Sequence, residues 1–467
     1  MLVAAIDQGS TRTKAALVDD AGRVVAVAER EVAQRVDGAR VEHDPEALLA
    51  GVRDVLAELC RTGRPDALAL ACQRSTCLVW ERATGRPLTF AVSWQDRRAA
   101  AAVAALGDHA AEVSRRTGLR LSPHYAAPKL AGLLAELPHG LDRARCGELA
   151  AGTLDAFLVR RLAEVEATEP GHAGRTLLYD LERDAWDPWL CELFGVPAAA
   201  LPALRPSAGA WGEAGGVPLL AVLGDQQAAL LGHGGWEEGV VAVHFGTGAF
   251  VLAATGERLI RHDGLLTAVL ASTPGARRFQ LEASVNSAGS AVDWACRLTG
   301  ERIEDWQDRA LDPERLPLVM PAFTGAAALW WRPEASGVVA GLGLATSGAE
   351  LVGGVLAGVA MRVLDGVEAL KEAGVTVRVL RLSGKLAVLS GLPGLLADAD
   401  GLQVEVTAAE ETGLLGASRL AFAVLTGGEP SAAAPPIRSR REPRWPPERA
   451  RAVRERWRAF AKAALDL

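Results

Sequence analysis

The sequence predicts an α/β protein made of two related domains that face each other. Three observations carry that prediction. The chain has 467 residues, more than one hydrophobic core organises, so two domains of ordinary size are expected. Short apolar runs alternate with helical periodicity from the first residues onward. A strand–turn–strand pattern also occurs twice, as Val3-Ala4-Ala5-Ile6-Asp7-Gln8-Gly9-Ser10-Thr11 and as Val241-Ala242-Val243-His244-Phe245-Gly246-Thr247-Gly248, each followed by a further apolar strand (15–18 and 250–253). Hydrophobic residues at 49% and charged residues at 23% suit a chain that folds and stays soluble, and exclude disordered, collagen-like and disulfide-stapled classes.

Residues 2–6, 14–18 and 23–28 read as strands, with Asp19-Asp20-Ala21-Gly22 as the turn between the last two. Asp44 and Pro45 supply an N-cap and a first helical residue for a helix through 59, and 66–72 returns as a strand. Glycines and charge in His233-Gly234-Gly235-Trp236-Glu237-Glu238-Gly239 place a boundary there, giving domains 1–235 and 236–426. In a helix over 348–371, Leu351, Val355, Val359, Val363 and Val367 form a buried face. Gly353, Gly354 and Gly358 are costly inside a helix and point to close packing against a neighbour or a ligand. Residues 427–467 read as a linker followed by an Arg-rich helix after Pro446-Pro447. That helix carries Val453, Trp457, Phe460, Ala461 and Ala464 on one side, as for docking on the body with its arginines in solvent.

Fifty basic against 57 acidic side chains leave a net charge of −7, the wrong sign for a nucleic-acid footprint. The six cysteines form no CxxC array, so they read as thiols in a reducing compartment. The longest apolar stretch, 351–361, is about half of the ~20 residues a membrane span needs. A cytoplasmic protein with no membrane or nucleic-acid partner is expected, and a homo-oligomer is compatible with the sequence.

Gly9 lets a backbone approach a ligand, and successive N–H groups with the Ser10 and Thr11 hydroxyls can wrap a phosphate. Asp7 is placed to hold a water of a magnesium shell. Gly246, Thr247 and Gly248 offer the same equipment from the other half; a single turn of this kind is only a tight turn, but two that face each other make a clamp. Asp225, at the end of an apolar strand and beside Gln226, reads equally as a general base and as a helix N-cap. Arg74, Gln95 and Asp96 can hydrogen-bond several hydroxyls, and Trp94 gives a flat wall, a set that suits a polyol or sugar; Arg97 and Arg98 read as a solvated helix start.

The segments QRSTCLVWERATGRPL and AVSWQDRR, with GDQQAALLG and FGTGAFVL, resemble the FGGY carbohydrate kinases, and most closely their glycerol kinase branch. DQGST, GTLDAFLVRRL, RTLLYDLERDAWDPWL and PAFTG fit in the same order, from Asp7 to about Ala423. The resemblance implies two actin-like (ribonuclease H-like) domains flanking a central cleft that holds ATP, Mg²⁺ and a polyol or sugar. It implies Gly9, Ser10, Thr11 and Lys14 on phosphate, with Asp7 and Asp225 at magnesium, and Gly246, Thr247 and Gly248 on phosphate from the other domain. Arg74, Ser75, Trp94, His124, Asp225 and Gln226 would contact the substrate, with Asp225 as base for phosphoryl transfer to a hydroxyl.

Three positions depart from the family pattern. Arg74-Ser75 stands where glycerol kinases carry Arg-Glu, and Pro123-His124-Tyr125 where they carry PYF. Their DGGA-type adenine loop aligns with Ser383-Gly384-Lys385-Leu386, of which Gly384 alone matches. That third departure defines an alternative, a degenerate kinase that binds a sugar or partner without phosphoryl transfer. A chaperone-like ATPase of the same fold is argued against by QRST and WQDRR.

Overall fold

The computed structural model describes residues 1–409 and 411–466. Two large sheets carry the architecture. In the first half, strands β1 (Leu2–Gln8), β2 (Arg12–Asp19) and β3 (Val24–Glu31) form an antiparallel meander, followed by helix α1 (Pro45–Thr62) and strand β4 (Ala67–Cys72). Asp44 caps α1 by accepting from the Glu46 N–H at 2.9 Å, with Pro45 at the first helical position. Strand β5 (Val217–Gly224) and helix α2 (Asp225–Gly232) close this half. The sheet order is Glu213–Ala214, β5, β4, β1, β2, β3. Here β4 runs parallel to both β1 and β5, so those three strands deliver their carboxyl ends to one edge.

These strands are apolar on both faces because both faces are covered. Ala4 and Ile6 of β1 pack under Leu48, Leu49 and Val52 of α1. Val3 and Ala5 point the other way, into a core shared with Leu414 and Leu420. A smaller five-stranded sheet takes strands from both sides of β4, with Arg35–Asp37 and Arg40–His43 before it and Cys77–Glu81, Ala91–Val92 and Leu149–Thr153 after it.

The second half repeats the scheme with β6 (Gly239–Phe245), β7 (Ala249–Gly256), β8 (Leu266–Thr273), β9 (Ala276–Val285) and helix α3 (Gly289–Thr299). Helix α4 (Gly348–Glu372), β10 (Val377–Gly384), β11 (Gln403–Thr407) and helix α5 (Thr412–Thr426) follow. The sheet order is β8, β9, β7, β6, β10, β11 and a final strand β12 (Ile437–Arg441). The sequence repeat is therefore structural: β1–β2 and β6–β7 are both antiparallel hairpins, and each first strand also pairs in parallel with a later one.

Three expectations change in detail. Helix α4 is buried on nearly every side, and its Gly353, Gly354 and Gly358 pack against the segment 316–319 and Trp306. A Cβ on Gly354 would lie 2.7 Å from the Pro317 carbonyl oxygen, and one on Gly358 would collide with that of Val319. The segment read as linker contains β12, which pairs antiparallel with β11 and completes the sheet edge. Helix α6 (Pro447–Leu465) packs Val453, Trp457, Ala461 and Ala464 on the second-half core. Not all of its arginines are solvated, for Arg454 is buried and donates to Asp365 at 2.9 Å. Among the described residues no helix is long and apolar enough to cross a membrane.

The halves meet through α2 and α5. A Cβ on Gly232 would run into the Thr412 carbonyl oxygen, and one on Gly416 into that of Ala228, so the two helices cross backbone to backbone. Ala242 and Leu252 of the second sheet join Val3, Ala5, Ala69 and Leu223 of the first in a single core at this junction.

Candidate active site

Register fixes the site. Gln8 of β1 and Gly224 of β5 both pair with Cys72 of β4, so Asp7, Arg74 and Asp225 leave from neighbouring carboxyl ends, where open α/β sheets bind ligands. Asp225 is the first residue of α2, and Gly224 occupies the cap position, which removes the capping reading. Its Oδ1 accepts from the Gln226 N–H at 2.7 Å and lies 3.3 Å from Nε of Arg74; the side chain stays 30% exposed, leaving Oδ2 open. Asp7 differs. Its Oδ1 is buried and has no partner among the described residues. Burial first, then the negative charges of Asp225 and Glu411, push its carboxyl up to about 7, with Lys14 working against them. Lys14 pairs with Glu411 across the junction instead of lying free for a phosphate.

Both turns are braced tightly. The Gly9 N–H donates to the Arg12 carbonyl at 3.0 Å, and amide side chains of Gln8 and Gln73 donate to the Gly9 carbonyl at 3.0 and 3.1 Å. Ser10 is half-buried and Thr11 exposed. In the second turn, Gly246 N–H donates to the Gly248 carbonyl at 2.9 Å, and the N–H groups of Ala288 and Ser290 at the start of α3 donate to the Thr247 carbonyl at 2.9 and 3.1 Å. A Cβ on Gly248 would lie 2.6 Å from the Val285 carbonyl oxygen, so this bend admits only glycine. Gly246 and Thr247 remain exposed at its tip.

Next to Asp225 lies the polyol-suited cluster. Arg74 is buried and donates to Glu282 of β9 at 2.8 Å while it flanks Asp225, and Arg175 pairs with the same Glu282. Burial opposes ionisation of Glu282, yet Arg175 and Arg74 outweigh it and hold the carboxyl down at about 2. Lys129 donates to the carbonyls of Ser75 (2.9 Å), Ser93 (3.0 Å) and His124 (2.9 Å), tying three loops to one ammonium. Desolvation pushes Lys129 down to about 8. The Trp94 and His124 rings meet at a tilt of 59° with centroids 5.6 Å apart, and burial, helped by Lys129, Arg175 and Arg74, lowers His124 to about 3, so its imidazole is neutral. Two buried oxygens here lack partners among the described residues, Oγ of Ser75 and Oε1 of Gln226. Ser75 also sits at φ +64°, an uncommon conformation for a residue with a Cβ.

Some expectations shift. Asp96 is fully buried and spent on the Val41 N–H (2.7 Å) and on Arg98, so it does not face a ligand; Arg98 belongs to an ion pair with Asp96 and Glu42, not to solvent. Gln95 is exposed and accepts from Gln34. Glu282, Arg175 and Lys129 escaped the sequence reading. A glutamate within the apolar strand Phe279–Val285 was the one visible signal; the lysine bonds only to backbone carbonyls, which no motif records. At the adenine-loop position, Gly384 has φ +93° and a Cβ on it would collide with Phe245 backbone, so packing of β10 on β6 accounts for this glycine. Lys385 beside it is exposed.

Residues 2–232 match the family model described as "FGGY family of carbohydrate kinases, N-terminal domain", and residues 241–425 match its C-terminal-domain counterpart. The chain is 40% identical over 438 residues to the glycerol kinase of Thermus brockianus, covering 89% of this chain and 88% of that one. It is 37% identical over 447 residues to the glycerol kinase of Xanthobacter autotrophicus, covering 90% and 89%. Its fold is shared with Plasmodium falciparum glycerol kinase solved with ADP (TM-score 0.92, 23% identity, 99% and 98% coverage) and with a ligand-bound xylulose kinase from Lactobacillus acidophilus (TM-score 0.87, 17% identity, 99% and 98% coverage).

Proposed function

The chain belongs to the FGGY family of carbohydrate kinases and is an ATP-dependent polyol or sugar kinase, and on that premise we propose how its own residues divide the reaction. Asp225 is the general base. Its Oδ1 is held by the Gln226 N–H and Arg74, so Oδ2 takes the proton of the attacking hydroxyl. Arg74, kept charged and in place by Glu282, binds the substrate's neighbouring hydroxyls. Ser75 Oγ and Gln226 Oε1 supply the unused acceptors, and Trp94 with neutral His124 forms the wall. The turns at Gly9–Thr11 and Gly246–Gly248 grip the nucleotide's phosphates from opposite halves, an arrangement that positions reactants in line and excludes water.

Mg²⁺, when bound, neutralises phosphate charge. Asp7, with Asp225 beside it, would hold it, because the partnerless Asp7 Oδ1 and its raised carboxyl are what a nearby cation relieves. Where the family carries a glutamate this chain has Ser75, which offers a hydroxyl in place of a carboxylate, and Glu282 pairs with Arg74 from the other side. We therefore assign as substrate a polyol or ketose longer than glycerol.

The observation that carries this reading is the adjacency of Asp7, Arg74 and Asp225 at three parallel strand ends. Purified protein with ATP-Mg²⁺ and a panel of glycerol, four- and five-carbon polyols and ketopentoses, followed by ADP release, tests it. Release that depends on one of the longer alcohols is expected. No ADP release at all would overturn it and leave the degenerate-kinase alternative, and release indifferent to every alcohol would overturn it in favour of an ATPase.

A further inference from the structure

The two hairpins correspond residue by residue at their tips. Asp7 stands two residues before Gly9, and His244 two residues before Gly246. Strand alternation puts Asp7 on the face of Val3 and Ala5, and His244 on the face of Ala242, and those faces feed the same core between the halves. His244 is thus the second hairpin's counterpart of Asp7. Its Nε2 lies 3.7 Å from where a Cβ of Gly246 would sit, beside the phosphate turn, and its ring feels the charges of Asp225 and Lys14. Among the described residues Nε2 has no hydrogen-bond partner, whereas Nδ1 has one.

That partner fixes the ring's proton. Ser383 Oγ lies 3.0 Å from Nδ1 of His244, its direct register partner, and 3.1 Å from Nε2 of buried His233. Burial lowers both imidazoles, so both are neutral. The two imidazoles are the only partners of the Ser383 hydroxyl among the described residues, so its proton goes to one ring and the other ring donates to Oγ. If His244 were the donor, His233 Nδ1 would carry a buried N–H with no acceptor, because that atom is without a partner among the described residues. Orphaned buried N–H groups are rarer than orphaned acceptors. The chain therefore runs from His233 Nε2–H to Ser383 Oγ–H to His244 Nδ1, and leaves the His244 proton on Nε2. An aspartate at 383, as in the family's DGGA turn, could only accept and would draw that proton to Nδ1.

We propose that His244 is a phosphate-binding residue, its Nε2–H donating to an oxygen of the nucleotide's phosphate chain at the Gly246–Gly248 turn, with Ser383 and His233 as positioning residues that set its tautomer. The proposal rests on the kinase reading of the same junction. A neutral donor adds direction without adding charge, which distinguishes it from a lysine at such a place.

The tautomer is read directly, without turnover, from long-range ¹H–¹⁵N correlations of ¹⁵N-histidine protein free of nucleotide, with His244→Gln to assign the signal. The Nε2–H form is expected for His244 in wild type and the Nδ1–H form in Ser383→Asp. In calorimetry with ADP-Mg²⁺, His244→Leu loses roughly ten- to a hundredfold in affinity, the span of a hydrogen bond to a charged group, while His244→Gln, which keeps a donor, stays within about threefold. An Nδ1–H His244 in wild type, or a His244→Leu protein that is folded by circular dichroism and binds ADP-Mg²⁺ as wild type does, overturns the proposal. If His244→Leu does not fold, His244→Gln and Ser383→Asp decide. Normal ADP-Mg²⁺ binding with the expected losses but no alcohol-dependent turnover would sink the kinase reading and leave this one standing; no ADP-Mg²⁺ binding by wild type sinks both.

Discussion

Asp7 and Asp225 sit on adjacent strand ends and differ in what surrounds them. Asp225 faces solvent with Arg74 at its side, whereas Asp7 is enclosed with an unpaired oxygen. Folded Asp7 keeps its proton up to about pH 7, while the unfolded chain loses it near the ordinary aspartate value of 3.8. Between those values the folded state binds more protons, so this group's contribution to stability is full below 3.8 and is lost as pH rises through 7. Asp7→Asn removes the titration. Denaturant unfolding of nucleotide-free protein at pH 8 is expected to show the variant more stable by about 2 kcal/mol, with no gain at pH 4, while its turnover falls at least a hundredfold; a variant less stable at both pH values would contradict the burial argument. At Ser75, Ser75→Glu is expected to raise kcat/KM for glycerol relative to a ketopentose by roughly tenfold, measured with both alcohols under one ATP concentration. The strand ends, both turns and Arg74 were legible from local motifs. Glu282, Arg175 and Lys129 were not, because each acts through a partner more than thirty-five positions away or through a backbone carbonyl.

Elements follow the same division. Helix α1 was readable from Asp44 and Pro45 because capping is local chemistry. Strand β12 was hidden, since Ile437-Arg438-Ser439-Arg440-Arg441 lies at a sheet edge, where charged side chains are tolerated and no apolar run is required. The glycines of α4 announced close packing, but the segment 316–319 and Trp306 were the neighbours, which periodicity cannot name. The α2–α5 crossing is the most demanding contact between the halves. Gly416→Ala places a methyl group inside the Ala228 carbonyl, with backbone on both sides and no side chain to yield. A loss of more than 3 kcal/mol is expected by denaturant unfolding, against about 1 kcal/mol or less for Gly428→Ala, whose Cβ would meet only a side-chain oxygen at 3.5 Å. Equal effects at the two sites would show that the helices do not cross so closely.

For the whole molecule, the repeat of two hairpins was visible in the sequence, but their convergence on one junction was not, since it depends on α5 returning to pack against β1, β4 and β5. That return sets Glu411 against Lys14 and Gly413 against Asp7, with the Gly413 Cβ position 3.4 Å from the Asp7 carboxylate. The first hairpin is thereby held to the second half of the chain, and the proposed grip of a phosphate chain from both sides rests on that contact. In the proposed reaction this grip presents phosphate to an alcohol deprotonated by Asp225. Single-turnover chemical quench with γ-labelled ATP, comparing wild type with Asp225→Asn on the best alcohol of the panel, addresses it most directly. Transfer is expected to slow by about a thousandfold or more in Asp225→Asn, with ATP-Mg²⁺ affinity unchanged within a few-fold. Transfer within tenfold of wild type would contradict it.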